Sequence, residues 1–236
     1  MAKLRRMLEI LGLDQFYGES HTLWSIDLEI QKGARACLMG RNGVGKTTLL
    51  RCIMGLERIR GGEIHFGDDR LHHHSAEHRA RVGIAYVPQG REIFPRLTVE
   101  ENLAVGLGAR PELKAVPSLV YDLFPVLKEM RKRRGGDLSG GQQQQLAIGR
   151  ALVLKPRLLI LDEPTEGIQP NVVQEIGEII VRLNQELGLT VLLVEQKLHF
   201  ARQVADSFVI LDKGRRVAGG TIEALSDELV ARHLAV

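Results

Sequence analysis

The sequence predicts an α/β fold with a mainly parallel sheet, an N-terminal antiparallel β subdomain and an inserted helical subdomain. Three observations carry this. Gly40-Arg41-Asn42-Gly43-Val44-Gly45-Lys46-Thr47-Thr48 fits G-x-x-x-x-G-K-[ST] between a short, largely apolar run, Ala34 to Met39, and a helix former, Thr48 to Met54. Leu158-Leu159-Ile160-Leu161 is an aliphatic run of the kind a central parallel strand needs, and it ends in Asp162-Glu163. From Gly90 to Gly136 the β pattern gives way to helical segments. Together these define a P-loop nucleotide-binding core. A chain of 236 residues is read as one domain, with 1–89 and 155–236 forming the core and about 90–154 the helical subdomain.

Composition narrows the class. Hydrophobic content of 44% and charged content of 26% suit a globular protein, and a net charge of +3 is too small to argue for nucleic acid. Cys37 and Cys52 lack ligand spacing and read as reduced packing residues. No apolar run approaches the ~18 residues of a membrane span, and Met1-Ala2-Lys3-Leu4-Arg5-Arg6 lacks the apolar region of a signal peptide. A cytoplasmic chain is expected, with membrane association only through partners.

In chain order, Met7–Leu13 and Leu23–Ile30 read as antiparallel strands around a loop, Asp14 to Ser20. In that loop Tyr17 offers a rigid ring for an adenine face, although on spacing alone it reads as a partly buried core tyrosine. Gly61-Gly62 marks a turn and Glu63–Phe66 a strand. Three consecutive histidines, His72 to His74, cannot converge on one ion and read as an exposed loop. Ile84 to Gln89 is a strand ended by Pro88, which leaves Gln89 at the carboxyl end of the sheet, where open α/β folds bind ligands. Thr98-Val99-Glu100-Glu101 opens a helix and Leu119–Met130 forms another. The basic cluster Lys128, Arg131, Lys132, Arg133 and Arg134 has no interleaved aromatics and reads as a solvated face.

Asp137-Leu138-Ser139-Gly140-Gly141-Gln142 then precedes a helix from Gln143 to Leu154. Pro170 suits the first turn of a helix whose apolar face is Val172, Ile176, Ile179, Ile180, Leu183 and Leu187, closed by Gly188. Thr190–Val194 is a core strand. Ser207–Leu211 and Val217-Ala218 close the sheet around Lys213-Gly214, and Asp227–Leu234 is a terminal amphipathic helix.

The chemistry follows from placement. Glycines let the Gly40–Thr48 backbone curl its N–H groups around a β-phosphate, and the following helix points its positive end at the anion. Lys46 reaches the β- and γ-phosphates and Thr47 ligates Mg²⁺. Ser139 with Gly140, Gly141 and Gln142 at a helix start makes a second anion-binding terminus, with an ordinary N-cap as the alternative. Asp162 suits Mg²⁺ and Glu163 suits polarising the attacking water. The ligand is a nucleoside triphosphate.

With these residues in order, the whole chain resembles an ATP-binding-cassette ATPase. The phosphate loop, Gln89 as the Q-loop, Leu138 to Gln142 as the signature and Leu158 to Glu163 as the Walker B strand carry the likeness. The resemblance implies that Tyr17 stacks the adenine, that Gln89 joins Thr47 and Asp162 at Mg²⁺, and that two cassettes pack head to tail with each ATP between one phosphate loop and the other chain's Ser139 region. Two positions depart from the usual pattern. Glu166-Gly167-Ile168-Gln169 lacks the aspartate many cassettes carry near Gln169. Gln196 stands where most carry the switch histidine, and an amide can hydrogen-bond a γ-phosphate but holds no positive charge. His199, one helical turn later, is the alternative switch.

Val194-Glu195-Gln196 looks like the branched-chain amino-acid importer cassettes. Within that group, Gln142 to Gln145, Glu163 to Asn171 and Glu195 to Leu198 look like the ATP-binding subunit of the urea importer. The likeness implies a related second cassette, two permease subunits docked beside Gln89 and the helical subdomain, an extracytoplasmic solute-binding protein, and a place on the inner face of the cell membrane. Branched-chain amino-acid import is the alternative. A non-transport cassette acting on DNA or ribosomes predicts tandem cassettes, a long coiled-coil insertion or a strongly basic face; the sequence has neither of the first two and little of the third. Intact Lys46, Asp162 and Glu163 argue against a subunit without turnover.

Overall fold

The computed structural model describes residues 6–109 and 112–234. Most of the N-terminal stretch read for leader character, 1–5, lies outside the described residues.

β1 (Arg6–Tyr17) and β2 (Ser20–Gln31) pair antiparallel. Alternate residues of the pair are buried, as a sheet with one covered face requires: Leu8, Ile10 and Leu13 from β1, and Ile26, Leu28 and Ile30 from β2. The pair is longer than its apolar runs, and Asp14–Tyr17 is strand rather than loop. The extension has a local cause: Asp14 accepts from Ser25 N–H and pairs with His21, and the Phe16, His21 and Trp24 rings stack at 3.9 and 3.5 Å.

β3 (Arg35–Met39) enters the phosphate loop, and α1 (Lys46–Met54) leaves it. β4 (Gly61–Phe66) and the short β5 (Asp69–Arg70) complete a four-stranded sheet in the order β2-β1-β4-β5. Gly61-Gly62 lies inside β4 rather than in a turn, with Gly62 at φ +83° beside a register shift in β1. α2 (Ala76–Arg81) precedes β6 (Ile84–Val87).

The helical segments are α3 (Val99–Val105), α4 (Ser118–Leu123), α5 (Pro125–Glu129) and α6 (Gly140–Val153). The single helix expected over Leu119–Met130 is two, broken at Phe124 (φ −127°, ψ 75°), because Pro125 lacks an N–H and bars its predecessor from helical geometry. Thr98 and Glu101 form a reciprocal capping box at α3. Lys128 and Arg131 to Arg134 are exposed.

The remaining elements are β7 (Leu158–Asp162), α7 (Pro170–Leu187), β8 (Thr190–Val194), α8 (Leu198–Val204), β9 (Ser207–Asp212), β10 (Arg215–Thr221) and α9 (Asp227–His233). They form a six-stranded sheet in the order β10-β9-β3-β8-β7-β6, parallel except for β10. α7 begins at Pro170 and is capped by Gly188 in the left-handed region. Leu187, counted on its apolar face, is 56% exposed at the helix end.

The unbroken aliphatic runs have a physical reason. Cys37, Met39, Leu159, Leu161, Val191 and Leu193 pack into one core with α6, α7 and α8, while Leu38, Leu158, Ile160, Leu192 and Val194 pack into a second with α1 and the antiparallel sheet. Both cysteines are free and buried, and burial pushes the Cys52 thiol up to about 12.

The β9–β10 turn ties the two sheets together. Gly214 N–H donates to the Val44 carbonyl at 3.0 Å, and Trp24 N–H donates to the Gly214 carbonyl at 2.8 Å. A Cβ at Gly214, φ +72°, would collide with the Thr22 carbonyl, so only glycine fits.

Candidate nucleotide site

The phosphate loop is held by backbone on both sides. A Cβ at Gly40 would strike the Leu211 carbonyl, so β9 and the loop meet without side chains between them. α1 starts from Gly45 with no side-chain cap, which leaves its first-turn N–H groups facing an anion-sized opening. Thr22, Asn42, Gly43, Gly45, Lys46, Thr47, Thr48, Gln89 and Glu163 line the cleft there.

Lys46 is 5% exposed; its ammonium donates to the Gly40 and Arg41 carbonyls at 2.8 and 2.9 Å and lies 3.7 Å from Glu163 Oε1. Burial lowers its pKa, and the nearby Glu163 and Asp162 carboxylates oppose that shift. The ammonium is thus held at the loop by two carbonyls, with one carboxylate beside it.

Asp162 ends β7 and is 1% exposed. Thr47 Oγ1 and Tyr86 Oη donate to its Oδ2 at 3.0 and 3.2 Å, while its Oδ1 is buried without a partner. Burial, chiefly, raises its pKa, and the Thr47 and Tyr86 hydrogen bonds pull the other way. A buried carboxylate oxygen without a donor beside a threonine hydroxyl is an all-oxygen set that fits a hard divalent cation such as Mg²⁺.

Glu163 lies just beyond β7, not in it, at φ +49°. Its N–H donates to Val194 at 3.0 Å, Gln196 Nε2 donates to Oε1 at 2.6 Å, and Gln89 Nε2 lies 3.4 Å from Oε2. Gln196 Nε2 also donates to Asn42 Oδ1 at 2.7 Å. Gln89 donates at 2.9 Å to Glu166 Oε2.

The predicted residues do not all converge. Tyr17 is 45% exposed at the end of β1, not a core tyrosine, and does not line the cleft. Ser139 caps α6 in a second capping box: its Oγ accepts from Gln142 N–H at 3.3 Å, and Gln142 Oε1 accepts from Ser139 N–H at 2.9 Å. That terminus also lies off the cleft lining. His199 is exposed and lines a groove with Ile168, Pro170, Val173 and Phe200, away from the loop. Sequence reading missed Tyr86, whose strand position carried no hint of Asp162. Glu195, 3% exposed, entered the sequence reading only within the motifs of the resemblance; it accepts from Thr165 Oγ1 at 2.7 Å and from the Gln196 and Lys197 N–H groups at 2.8 and 2.9 Å, fixing the turn that presents Gln196.

A mainly parallel sheet with a phosphate loop after β3, successive carboxylates at the end of β7 and a capped glycine helix start at α6 defines an ATP-binding cassette. The chain belongs to the ABC transporter family, whose family model matches residues 23–166, and is the ATP-binding, ATP-hydrolysing subunit of such a transporter. It is 42% identical to the high-affinity branched-chain amino acid transport ATP-binding protein BraG of Pseudomonas aeruginosa, over 93% of this chain and 94% of the relative. It is 38% identical to the probable branched-chain amino acid transport ATP-binding protein LivF of Archaeoglobus fulgidus, with the same coverage of each. Among solved structures it is similar to the ADP conformation of MJ1267, an ATP-binding cassette of an ABC transporter, with a TM-score of 0.83 and 26% identity over 96% of this chain and 97% of that one. No helix among the described residues is long and apolar enough to cross a membrane.

Proposed function

We propose that this chain powers import of a small solute by closing against a second cassette on ATP and reopening after hydrolysis. The cluster that Lys46, the Thr47–Asp162 pair, Glu163 and Gln196 form through polar contacts at the phosphate loop supports the reading most directly. Lys46 exchanges its two carbonyl partners for β- and γ-phosphate oxygens, and the loop and α1 N–H groups receive the rest of the charge. Thr47, Asp162 and Gln89 hold Mg²⁺, which when bound offsets the charge on the β- and γ-phosphates. Glu163 orients and polarises the attacking water, and Gln196 positions that carboxylate and contacts the γ-phosphate. The exposed Tyr17 ring stacks on the adenine.

Because Ser139 to Gln142 lie off this cleft, they serve the nucleotide of a partner cassette, which makes the working unit a head-to-tail pair. The pair, formed with a related chain, docks beneath two permease subunits on the inner face of the membrane, fed by an extracytoplasmic solute-binding protein. The names of the two relatives support the branched-chain amino-acid importer group. Within that group the Gln142–Gln145, Glu163–Asn171 and Glu195–Leu198 segments favour urea as the solute, on resemblance alone, since the cassette touches no solute.

The test is co-purification from membranes followed by reconstitution in vesicles with the recovered partners. ATP-dependent uptake of urea is expected. Uptake of leucine in its place establishes the amino-acid alternative, and recovery of only ribosomal or DNA-repair proteins overturns the transport reading.

A further inference from the structure

Immediately after Gln89 the chain takes three consecutive left-handed residues, Gly90, Arg91 and Glu92, at φ +79°, +70° and +46°. Glycine adopts this region freely, but two side-chain-bearing residues in succession do so only where their surroundings hold them. The holding groups are visible. Arg150 of α6 donates through one guanidinium nitrogen to the Arg91 carbonyl at 3.3 Å and the Glu92 carbonyl at 2.8 Å, and its guanidinium stands 5.3 Å from the centre of the Phe94 ring.

The turn aims the Arg91 side chain between two elements. Its Nη1 donates to Gln143 Oε1 in the first turns of α6 at 3.3 Å, and its Nη2 donates to the Glu166 carbonyl at 3.2 Å. The guanidinium lies against Gly140 and Gly167, where a Cβ at Gly140 would come within 3.2 Å of Nη1. The bare α-carbon of Gly140 therefore makes room for a planar cation. Glu166 is also the residue whose carboxylate holds Gln89, and its N–H donates to the Glu163 backbone carbonyl at 3.1 Å.

We propose that Arg91 is a positioning residue for hydrolysis: by pinning the loop after Glu163 to the start of α6, it sets the aim of the Glu163 carboxylate. This rests on the reading of Glu163 as the group that polarises water. A guanidinium spanning two partners fixes a plane as well as a distance, which a lysine ammonium cannot do. The loop before α1, which binds this chain's own ATP, makes no part of this contact.

The experiment compares Arg91→Ala and Arg91→Lys with the parent, each paired with the partner cassette, with Glu163→Gln as control. Hydrogen exchange of the 164–170 segment should quicken several-fold in Arg91→Ala, while β3 and α1 keep parental rates. The kcat for ATP should fall about tenfold in Arg91→Ala with KM changed less than about twofold, as expected for misaim rather than lost binding. Arg91→Lys should be intermediate, and millimolar methylguanidinium should restore part of the Arg91→Ala rate. Parental exchange in 164–170, or a parental kcat in Arg91→Ala while Glu163→Gln is inactive, overturns the proposal. A Glu163→Gln chain that hydrolyses at the parental rate refutes the reading of Glu163 instead, and the exchange measurement then still decides whether Arg91 pins the loop.

Discussion

Gln196 Nε2 lies 2.6 Å from Glu163 Oε1 and 2.7 Å from Asn42 Oδ1, so a single neutral amide joins the phosphate loop to the carboxylate beyond β7. The backbone of Gln196 is held in turn by Glu195, which is buried and cannot swing away without losing three hydrogen bonds.

Gln196→Ala is therefore expected to slow hydrolysis about a hundredfold, the usual cost of losing one such donor at a developing anion, with ATP affinity nearly unchanged. Gln196→His should retain activity and acquire a pH dependence near neutrality that the parent lacks. His199→Ala should stay near the parental rate, because His199 faces a different groove. Single-turnover hydrolysis separates the three; a parental rate in Gln196→Ala with collapse in His199→Ala would reverse the assignment.

Glu163→Gln keeps the side chain's shape and removes its charge. Turnover should fall by at least about a hundredfold, with ATP still bound and a closed pair accumulating when the partner cassette is supplied. Phosphate release and calorimetric titration read the two effects separately, and a loss of ATP affinity matching the loss of rate would argue against a role confined to chemistry.

Asp162 gives a stability prediction with a definite sign. Burial raises its folded pKa above the unfolded value of about 3.9, so its ionisation costs stability: the fold is favoured below that pH and loses the advantage as pH rises through the folded value. Asp162→Asn removes the penalty. Without nucleotide or Mg²⁺, its Tm should exceed the parent's at pH 7, with the gap closing towards pH 4, where 1 kcal/mol corresponds to roughly 2–4 °C for a chain of this size. Scanning calorimetry across that range checks it, and the stabilisation of the parent by Mg-ATP should be absent from the variant.

Asn102 tests the packing of the segment after Gln89. Wholly buried in α3, it accepts from Phe94 N–H at 2.8 Å and donates to the carbonyls of Phe94, Leu97 and Thr98 at 2.9–3.1 Å. Asn102→Ala strips the Phe94 N–H of its acceptor and the three carbonyls of a second donor, although each carbonyl keeps a backbone partner, and should cost about 1–3 kcal/mol in denaturant unfolding. A cost under about 1 kcal/mol would mean that water reaches them.

What the sequence disclosed follows the range of the forces involved. The phosphate loop, β7 and the Pro170 helix were legible because each is specified by near neighbours: glycines at fixed spacing, an aliphatic run buried on both faces, a proline at a first turn. α2 and α8 were missed because one to two turns present too few positions for a 3.6-residue period to show. The break at Phe124 was legible in Pro125 but was overridden by apolar spacing on either side. Tyr86, Asn102 and Arg91 act on partners that only the folded chain brings near, and nothing in their own neighbourhoods marks them.

The Gly214 turn also dictates an order of events on the ribosome. Val44 leaves the ribosome long before Gly214, yet the N–H that fixes its carbonyl belongs to that later hairpin, and β9, whose Leu211 carbonyl abuts Gly40, arrives only with it. The loop that receives phosphate is therefore translated well before it takes its final form. A nascent chain stalled before this hairpin carries every residue of the loop and still has no finished cradle for ATP, so the protein acquires its ligand only after the hairpin has been made.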